Sequence, residues 1–397
     1  MLTGDKKMNN YTEILKTAEE KIKSNLEELA ALSDNIADNP EIAEHEFETS
    51  KKLVETLKSK GFDTEYPFAG IETAFKATYG ANNHKHKIAI LAEYDALPGI
   101  GHACGHNLSG AISLLAGIAM TELQDELDCD IHVIGTPAEE EDGAKCYMSE
   151  DGVFKDYDLA IMVHLYNQNL IFCKLNSLAS MSYTFNGKAS HAGASPWEGQ
   201  NALNAAQLMM HGVDCIRGCC EPDTRLNSIL FKGGTAGGSI PDEARIETWM
   251  RHPEYPYLLK LLERVENCAK GGALMAECSY EGNLTTKMFK GMNRNKTGEK
   301  AVEEVFGELG IEINGDHNKM FGSSDIGNVS FECPALHPTL QLVERDVTIH
   351  TEEFLAAVKG PKAHEALGDG AKLIVGTIAK IFSDEEKIKK LKEDFSA

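Results

Sequence analysis

Apolar positions near the start of the chain recur at helical spacing. The segment NYTEILKTAEEKIKSNLEELAALSDNIADNP (10–40) carries them along one face and stops at Asn39-Pro40, so it predicts an amphipathic helix. PEIAEHEFETSKKLVETLKSKGF continues as a second helix closed by Gly61. The period then shortens. HKIAILAEY (86–94), CDIHVIGTPAEE (129–140) and YDLAIMVHL (157–165) are short apolar runs between turn or polar residues, the pattern of buried strands. NLSGAISLLAGIAMTELQDEL, between the first two, reads as a helix. Strand, helix, strand in that order predicts an α/β layer with a largely parallel sheet.

Near residue 177 the texture changes. LASMSYTFNGKASHAGASP alternates and is punctuated by glycine, as in an antiparallel strand and turn. A helix (GQNALNAAQLMMHGVDCIRG), two strands around a glycine-rich turn (NSILFKGGTAGGSIPDEARIETWMRHP), a second helix (PYLLKLLERVENCAKGGALMAE) and a last strand (CSYEGNLTTKMFKG) follow. This strand-helix-strand-strand-helix-strand unit has the size of a small α+β domain. From MNRNKTGEKAVEEVFGELG onward helix and buried strand return, and TEEFLAAVKGPKAHEALGDGAKLIVGTIAKIF reads as one long closing helix. The expected organisation is a discontinuous domain (1–177 and 293–397) interrupted by a smaller one (178–292).

Bulk properties narrow the function. The chain has 397 residues, 42% of them hydrophobic, enough for one large domain or two ordinary ones. A formal net charge of -23 argues against nucleic acid or an anionic membrane as partner. No apolar run is long enough to span a bilayer and the start lacks a signal-peptide core, so the cytoplasm is the expected location. The ten cysteines are scattered and suggest no disulfide framework.

The candidate chemistry sits at strand ends. In GIGHACGHN, Cys104 and His106 are one residue apart on a glycine-rich turn, a thiolate and an imidazole suited to zinc or a similar ion. A plain tight turn with incidental side chains is the alternative. Glu139, Glu140 and Glu141 follow the second strand and His164 ends the third. Consecutive acids are usually a solvated charge run. In open α/β sheets, however, ligand sites gather at the carboxyl ends of strands, and three successive ends here carry metal-competent groups. Two neighbouring glutamates can divide the labour, one binding metal and one serving as general base. Asp95 reads equally as an acid orienting an imidazole or as a turn residue before Pro98. A nucleophilic Cys104 with His102 or His106 as base is the competing chemistry. It leaves the paired glutamates and His164 unused, so metal hydrolysis is preferred. KGGTAGGSIPDEA is no phosphate loop and GIGHACG no dinucleotide fingerprint.

These stretches carry a resemblance. LAEYDALPGIGHACGHN, GTPAEE, MVHL, KASHAGASPWEGQNAL, GGTAGGSIPDEARIETWMR, FGSSDIGNVSFECPALHP and TIHTEEF occur in this order in the aminoacylase/glutamate-carboxypeptidase family of zinc metallopeptidases. The chain resembles most the branch of peptidase M20-domain dipeptidases, aminobenzoyl-glutamate hydrolases and amino-acid-conjugate amidohydrolases. The resemblance covers nearly everything from about residue 11. It implies an α/β zinc-peptidase (phosphorylase/hydrolase-like) catalytic domain with an inserted α+β ferredoxin-like lid domain that mediates dimerisation. It implies Cys104, His106, Glu140, His164 and His350 as ligands of one or two divalent ions, zinc first, with manganese or cobalt as alternatives. Glu139 would be the general base, Asp95 the orienting acid and His191 the stabiliser of the oxyanion. Arg251 would grip a substrate carboxylate, and Gly322, Ser323 and Ser324 would line the substrate pocket. Two departures stand out. Glu93 occupies the place where many relatives carry a metal-binding histidine, and Gly238 and Ser239 stand where many have an asparagine before IPD.

The expected function is metal-dependent hydrolysis of the amide bond of dipeptides, short peptides or N-acyl amino acids, by a homodimer or higher homo-oligomer. The alternatives are a broader metallopeptidase, endopeptidase action on longer peptides included, and, more remotely, a non-catalytic binding protein on the same fold.

Overall fold

The first buried run, HKIAILA, becomes an inner strand of a six-stranded sheet in the computed structural model, which describes residues 2–317, 319 and 322–396, with side chains from residue 11 onward. The chain divides into two units: Met1–Lys174 with Met292–Met320 and Asp325–Ala397, and Leu175–Gly291 with Phe321–Ser324.

In the first unit α1 (Leu2–Asp38) and α2 (Phe47–Ser59) precede β1 (Asp63–Glu65), β2 (Phe75–Thr78) and β3 (His86–Ala92). Then come α3 (His106–Met120), the short α4 (Gln124–Leu127), β4 (Cys129–Gly135), α5 (Ala144–Glu150), β5 (Leu159–Ile161) and β6 (His164–Tyr166). The second unit runs β7 (Ser177–Asn186), α6 (Ala202–Arg217), β8 (Arg225–Lys232), β9 (Glu243–His252), α7 (Tyr255–Met275) and β10 (Ser279–Leu284). The first resumes with α8 (Lys296–Glu308), α9 (Ile326–Val329), β11 (Ala335–Leu336), β12 (Thr339–Gln341), α10 (Glu352–Leu355), α11 (Pro361–Phe382) and α12 (Glu385–Ser396).

The large sheet has the order β1-β2-β4-β3-β5-β11. The β4–β3, β3–β5 and β5–β11 ladders are parallel, whereas β1–β2 and β2–β4 are antiparallel. The sheet is therefore mixed rather than largely parallel, because two short strands absent from the hydrophobic pattern extend one edge. Ile88–Ala92 are fully buried, as expected for strands covered on both faces. Every residue of α3 is buried, and this helix packs on β3 and β4 with α1 and α11 against it. Close approach is possible because Gly110 and Gly117 face the sheet. A Cβ on Gly110 would stand 2.6 Å from the Glu93 carbonyl oxygen, and one on Gly117 2.3 Å from Val133 Cγ2.

Three local expectations change. The second helix starts at Phe47, not at Pro40. The run 157–165 splits: β5 stays in the large sheet, while β6 pairs with β12 in a separate two-stranded ribbon. His164 thus opens a second strand instead of ending the first. The closing helix is also interrupted, since Gly360 (φ +89°) and Pro361 separate α10 from α11. Proline is at home in a first helical turn and cannot sit in a helix interior.

The second unit is a βαββαβ fold with strand order β10-β7-β9-β8, all pairs antiparallel, which is the ferredoxin-like arrangement. Its core is built on Tyr183, Phe185, Met209, Ile246 and Leu261. Among the described residues no helix is long and apolar enough to cross a membrane.

Candidate metal centre

The loop after β3 turns sharply through left-handed glycines. Gly101 and Gly105 have φ of +80° and +84°, and a Cβ on Gly105 would press on Leu165 at 3.1 Å. This conformation is open to glycine and costly to other residues. It sets the buried Cys104 side chain beside His106, the first residue of α3. Asp95, also in this loop, ties two strand ends together. Its Oδ1 accepts a hydrogen bond from His106 Nδ1 at 3.0 Å, and its Oδ2 accepts one from the Glu140 backbone N–H at 3.0 Å. With Nδ1 engaged, His106 presents Nε2, which is buried and has no hydrogen-bond partner.

The other groups arrive from three directions. Glu139 and Glu140 follow β4. They come after Ala138, whose φ of +57° is held by a hydrogen bond from its N–H to Glu46 Oε1 at 2.9 Å. His164 opens β6 and donates from Nδ1 to the Leu165 carbonyl at 2.7 Å, leaving Nε2 3.6 Å from Cys104 Sγ. His350 also has left-handed backbone (φ +66°), and its N–H donates to the Ala103 carbonyl at 2.8 Å. Its Nε2 lies 3.4 Å from Glu140 Oε1. Left-handed backbone at Ala138 and His350 is held by these hydrogen bonds, and strain of this kind clusters at functional sites.

These side chains form overlapping groups, and two of them share Cys104. Atoms of Cys104, His106 and His164 lie within 4.8 Å of one another, and so do atoms of Cys104, Glu140 and His350. Cys104 belongs to both. The donors fit a divalent ion: one thiol, imidazole nitrogens and a carboxylate, with His106 Nε2 and Glu140 Oε1 buried and lacking hydrogen-bond partners. Burial, helped by the Glu140 charge, pushes the Cys104 thiol well up, and a bound cation is what reverses such a shift.

Glu139 is in neither of these two sets, but it groups with His106 and Glu140, and again with Glu93 and Asp325. Burial and the neighbouring Glu93, Glu140 and Asp325 carboxylates raise it well above the usual carboxylate range. Burial would raise Glu140 too, but His350 and His106 outweigh it and hold that acid low. Two adjacent glutamates thus have opposite proton affinities.

The remaining expected residues lie in the second unit. His191 is exposed in a turn bridged to Ser239, and its Nδ1 accepts the Gly193 N–H at 3.1 Å. Arg251 is on β9, half-buried, with its guanidinium 5.5 Å from the Trp249 ring centre. The Gly322 carbonyl accepts the Asn176 N–H at 2.9 Å, the Ser323 hydroxyl is buried without a hydrogen-bond partner, and Ser324 is buried.

Several residues at the centre carry no sequence signal. Lys145, fully buried at the start of α5, reaches Glu93 Oε1 at 2.8 Å and Asp325 Oδ1 at 2.6 Å. His337 is buried with its ring centre 5.6 Å from that of His164. Glu46 supports Ala138 from α2's N-terminal boundary. A lone lysine after an acidic run looks solvated, and a histidine before proline looks like a turn.

Comparison with known proteins gives a consistent picture. Residues 89–354 match the sequence profile of Peptidase family M20/M25/M40. A Xaa-Arg dipeptidase from Mus musculus is 32% identical over 366 residues, covering 87% of this chain and 84% of the relative. A p-aminobenzoyl-glutamate hydrolase polypeptide of Escherichia coli (strain K12) is 25% identical over 458 residues, covering 96% of this chain and 95% of the relative. A Bacillus subtilis structure described as a dinuclear metal binding peptidase superposes with a TM-score of 0.69 at 19% identity, covering 90% of this chain and 98% of that one, a likeness of fold.

Proposed function

The chain belongs to Peptidase family M20/M25/M40, and on that premise we propose that it is a metal-dependent amidohydrolase acting on dipeptides, short peptides or N-acyl amino acids. The observation that carries this reading is the pair of ligand sets sharing Cys104, with Glu139 outside both and grouped beside them with His106 and Glu140. Cys104, His106, His164, Glu140 and His350 would hold the ions, zinc first, with manganese or cobalt as alternatives. When bound, such an ion supplies Lewis acidity, polarising an amide carbonyl and lowering the pKa of water toward about 7.

The protein's own groups do the rest. Glu139 takes a proton from the attacking water and returns it to the leaving amine. Asp95 keeps His106 in one orientation and fixes the backbone before Glu140, so base and ligand keep their separate places. Arg251 would grip the substrate carboxylate, His191 would donate to the oxyanion, and Gly322, Ser323 and Ser324 would line the pocket. A solvated cytoplasmic enzyme agrees with the charge of -23.

The mouse and bacterial relatives suggest the first substrates: dipeptides ending in arginine and aryl-acylated glutamate. Glu139→Gln should lower kcat by a factor of about 10³ or more while leaving metal content unchanged. Substantial turnover by that variant would contradict the assignment. Pairing each dipeptide with its carboxamide separates an exopeptidase, which ignores the blocked form, from a broader peptidase.

A further inference from the structure

Beside the two ligand sets lies a third group of acids. Carboxylate oxygens of Glu93, Glu139 and Asp325 lie within 4.8 Å of one another, and Glu93 and Asp325 are fully buried. Three carboxylates this close repel one another strongly and have the composition of a site for a hard cation. The structure supplies that cation from the chain itself. Lys145 is fully buried, and its Nζ stands 2.8 Å from Glu93 Oε1 and 2.6 Å from Asp325 Oδ1. Its backbone N–H also donates to Asp325 Oδ2 at 3.0 Å. Burying an ammonium is expensive, and so is burying a carboxylate. Each offsets the other only where the geometry is close, as it is here. Burial alone would strip the Lys145 proton, but Asp325, Glu93 and Glu139 hold the ammonium charged well beyond the ordinary lysine range.

Resting on the hydrolase reading above, we propose that Lys145 is the centre's resident cation. Its ammonium fills the pocket formed by Glu93, Glu139 and Asp325 and closes it to a further divalent ion, so that ions enter only the groups built on Cys104 and His106. Lys145 is a positioning residue in this role. It binds no substrate, but it pins Glu93 at the end of β3 to Asp325 before α9, and so fixes the acid neighbours of Glu139. Glu93 needs such a partner, because it also approaches His106 Nε2 at 3.5 Å and would otherwise compete for the ion held there. The glutamate at this place, where many relatives carry a metal-binding histidine, is therefore neutralised by the chain and left out of the ligand sets.

Ion counting tests the proposal without reference to turnover. The full-length parent, Lys145→Met and Lys145→Arg are dialysed against Mn²⁺, and bound manganese is measured by elemental analysis alongside thermal melting. Lys145→Met should take up one more ion per chain than the parent and gain more in melting temperature from Mn²⁺. Lys145→Arg, which keeps the charge, should match the parent. A folded Lys145→Met with the parent's ion count overturns the proposal, whatever its activity. Should Lys145→Met be unfolded without added ion, Mn²⁺ must restore its melting transition; failure to do so overturns the proposal as well. A parent that takes up no ion would sink the hydrolase reading itself, which separates the two failures.

Discussion

Glu46 shows how much a single side chain outside the ligand sets contributes. It is buried, and its two oxygens accept hydrogen bonds from the Ala138 N–H and the Thr73 hydroxyl. Burial and the charge of Asp95 raise its pKa from 4.5 to about 7. The folded chain therefore binds this proton more tightly than the unfolded chain does. The associated stability is fully present below the unfolded value and is lost as pH rises toward 7. Melting temperature should fall across that window. Glu46→Gln keeps an acceptor for Ala138 and carries no charge, so it should flatten the fall and gain about 2 kcal/mol near neutral pH. An unchanged slope in the variant would place the titration elsewhere. Residues of this kind were not legible beforehand. Cys104 and His106 were, because one turn places them; Lys145, Asp325 and Glu46 take their meaning from neighbours distant in sequence.

At the scale of elements, α3 couples the core to the chemistry. It opens with His106 and presses Gly110 against the backbone of Glu93. Gly110→Ala has no room, since its new carbon would meet backbone at 2.6 Å. It should destabilise the chain by about 1–3 kcal/mol in chemical denaturation and weaken ion binding, because the helix start must shift. Gly271, in α7, has nothing within 4 Å of a Cβ. Gly271→Ala should instead be neutral or stabilising by up to about 1 kcal/mol, as expected where only helix propensity changes. Equal losses in both would mean that the close approach at Gly110 does not matter. The hydrophobic pattern located α3, β3 and β4 because their apolar runs are long and bounded. It missed β1 and β2, too short to carry a period, and it fused β5 with β6. No feature of YDLAIMVHL announces that the chain changes partner after Ile161; that choice belongs to β12, which lies far along the sequence.

For the molecule as a whole, the second unit offers a surface suited to self-association. β8 is an edge strand, and Ile229 and Phe231 on it are 57% and 52% exposed. An exposed apolar edge is a template for pairing with another strand, and natural chains usually blunt or cover it. We expect two copies to pair there. If two copies pair at this edge, Phe231→Glu should lower the sedimenting mass at micromolar concentration while the fold of the six-stranded sheet persists. A variant that sediments as the parent does would exclude this edge as the interface.

The sequence by itself determined the alternation of buried strands and amphipathic helices, the βαββαβ order of the inserted unit, and the presence of ligand-type residues after β3 and β4. These features follow from local periodicity and turn chemistry, which act over a few residues. Tertiary structure alone decided that Cys104 belongs to two ligand sets and that His350 reaches Glu140. It also decided that Lys145 sits among three acids and that adjacent Glu139 and Glu140 differ in proton affinity. Charge–charge energies and burial depend on distance in space, and chain order does not fix that distance until the sheet has closed.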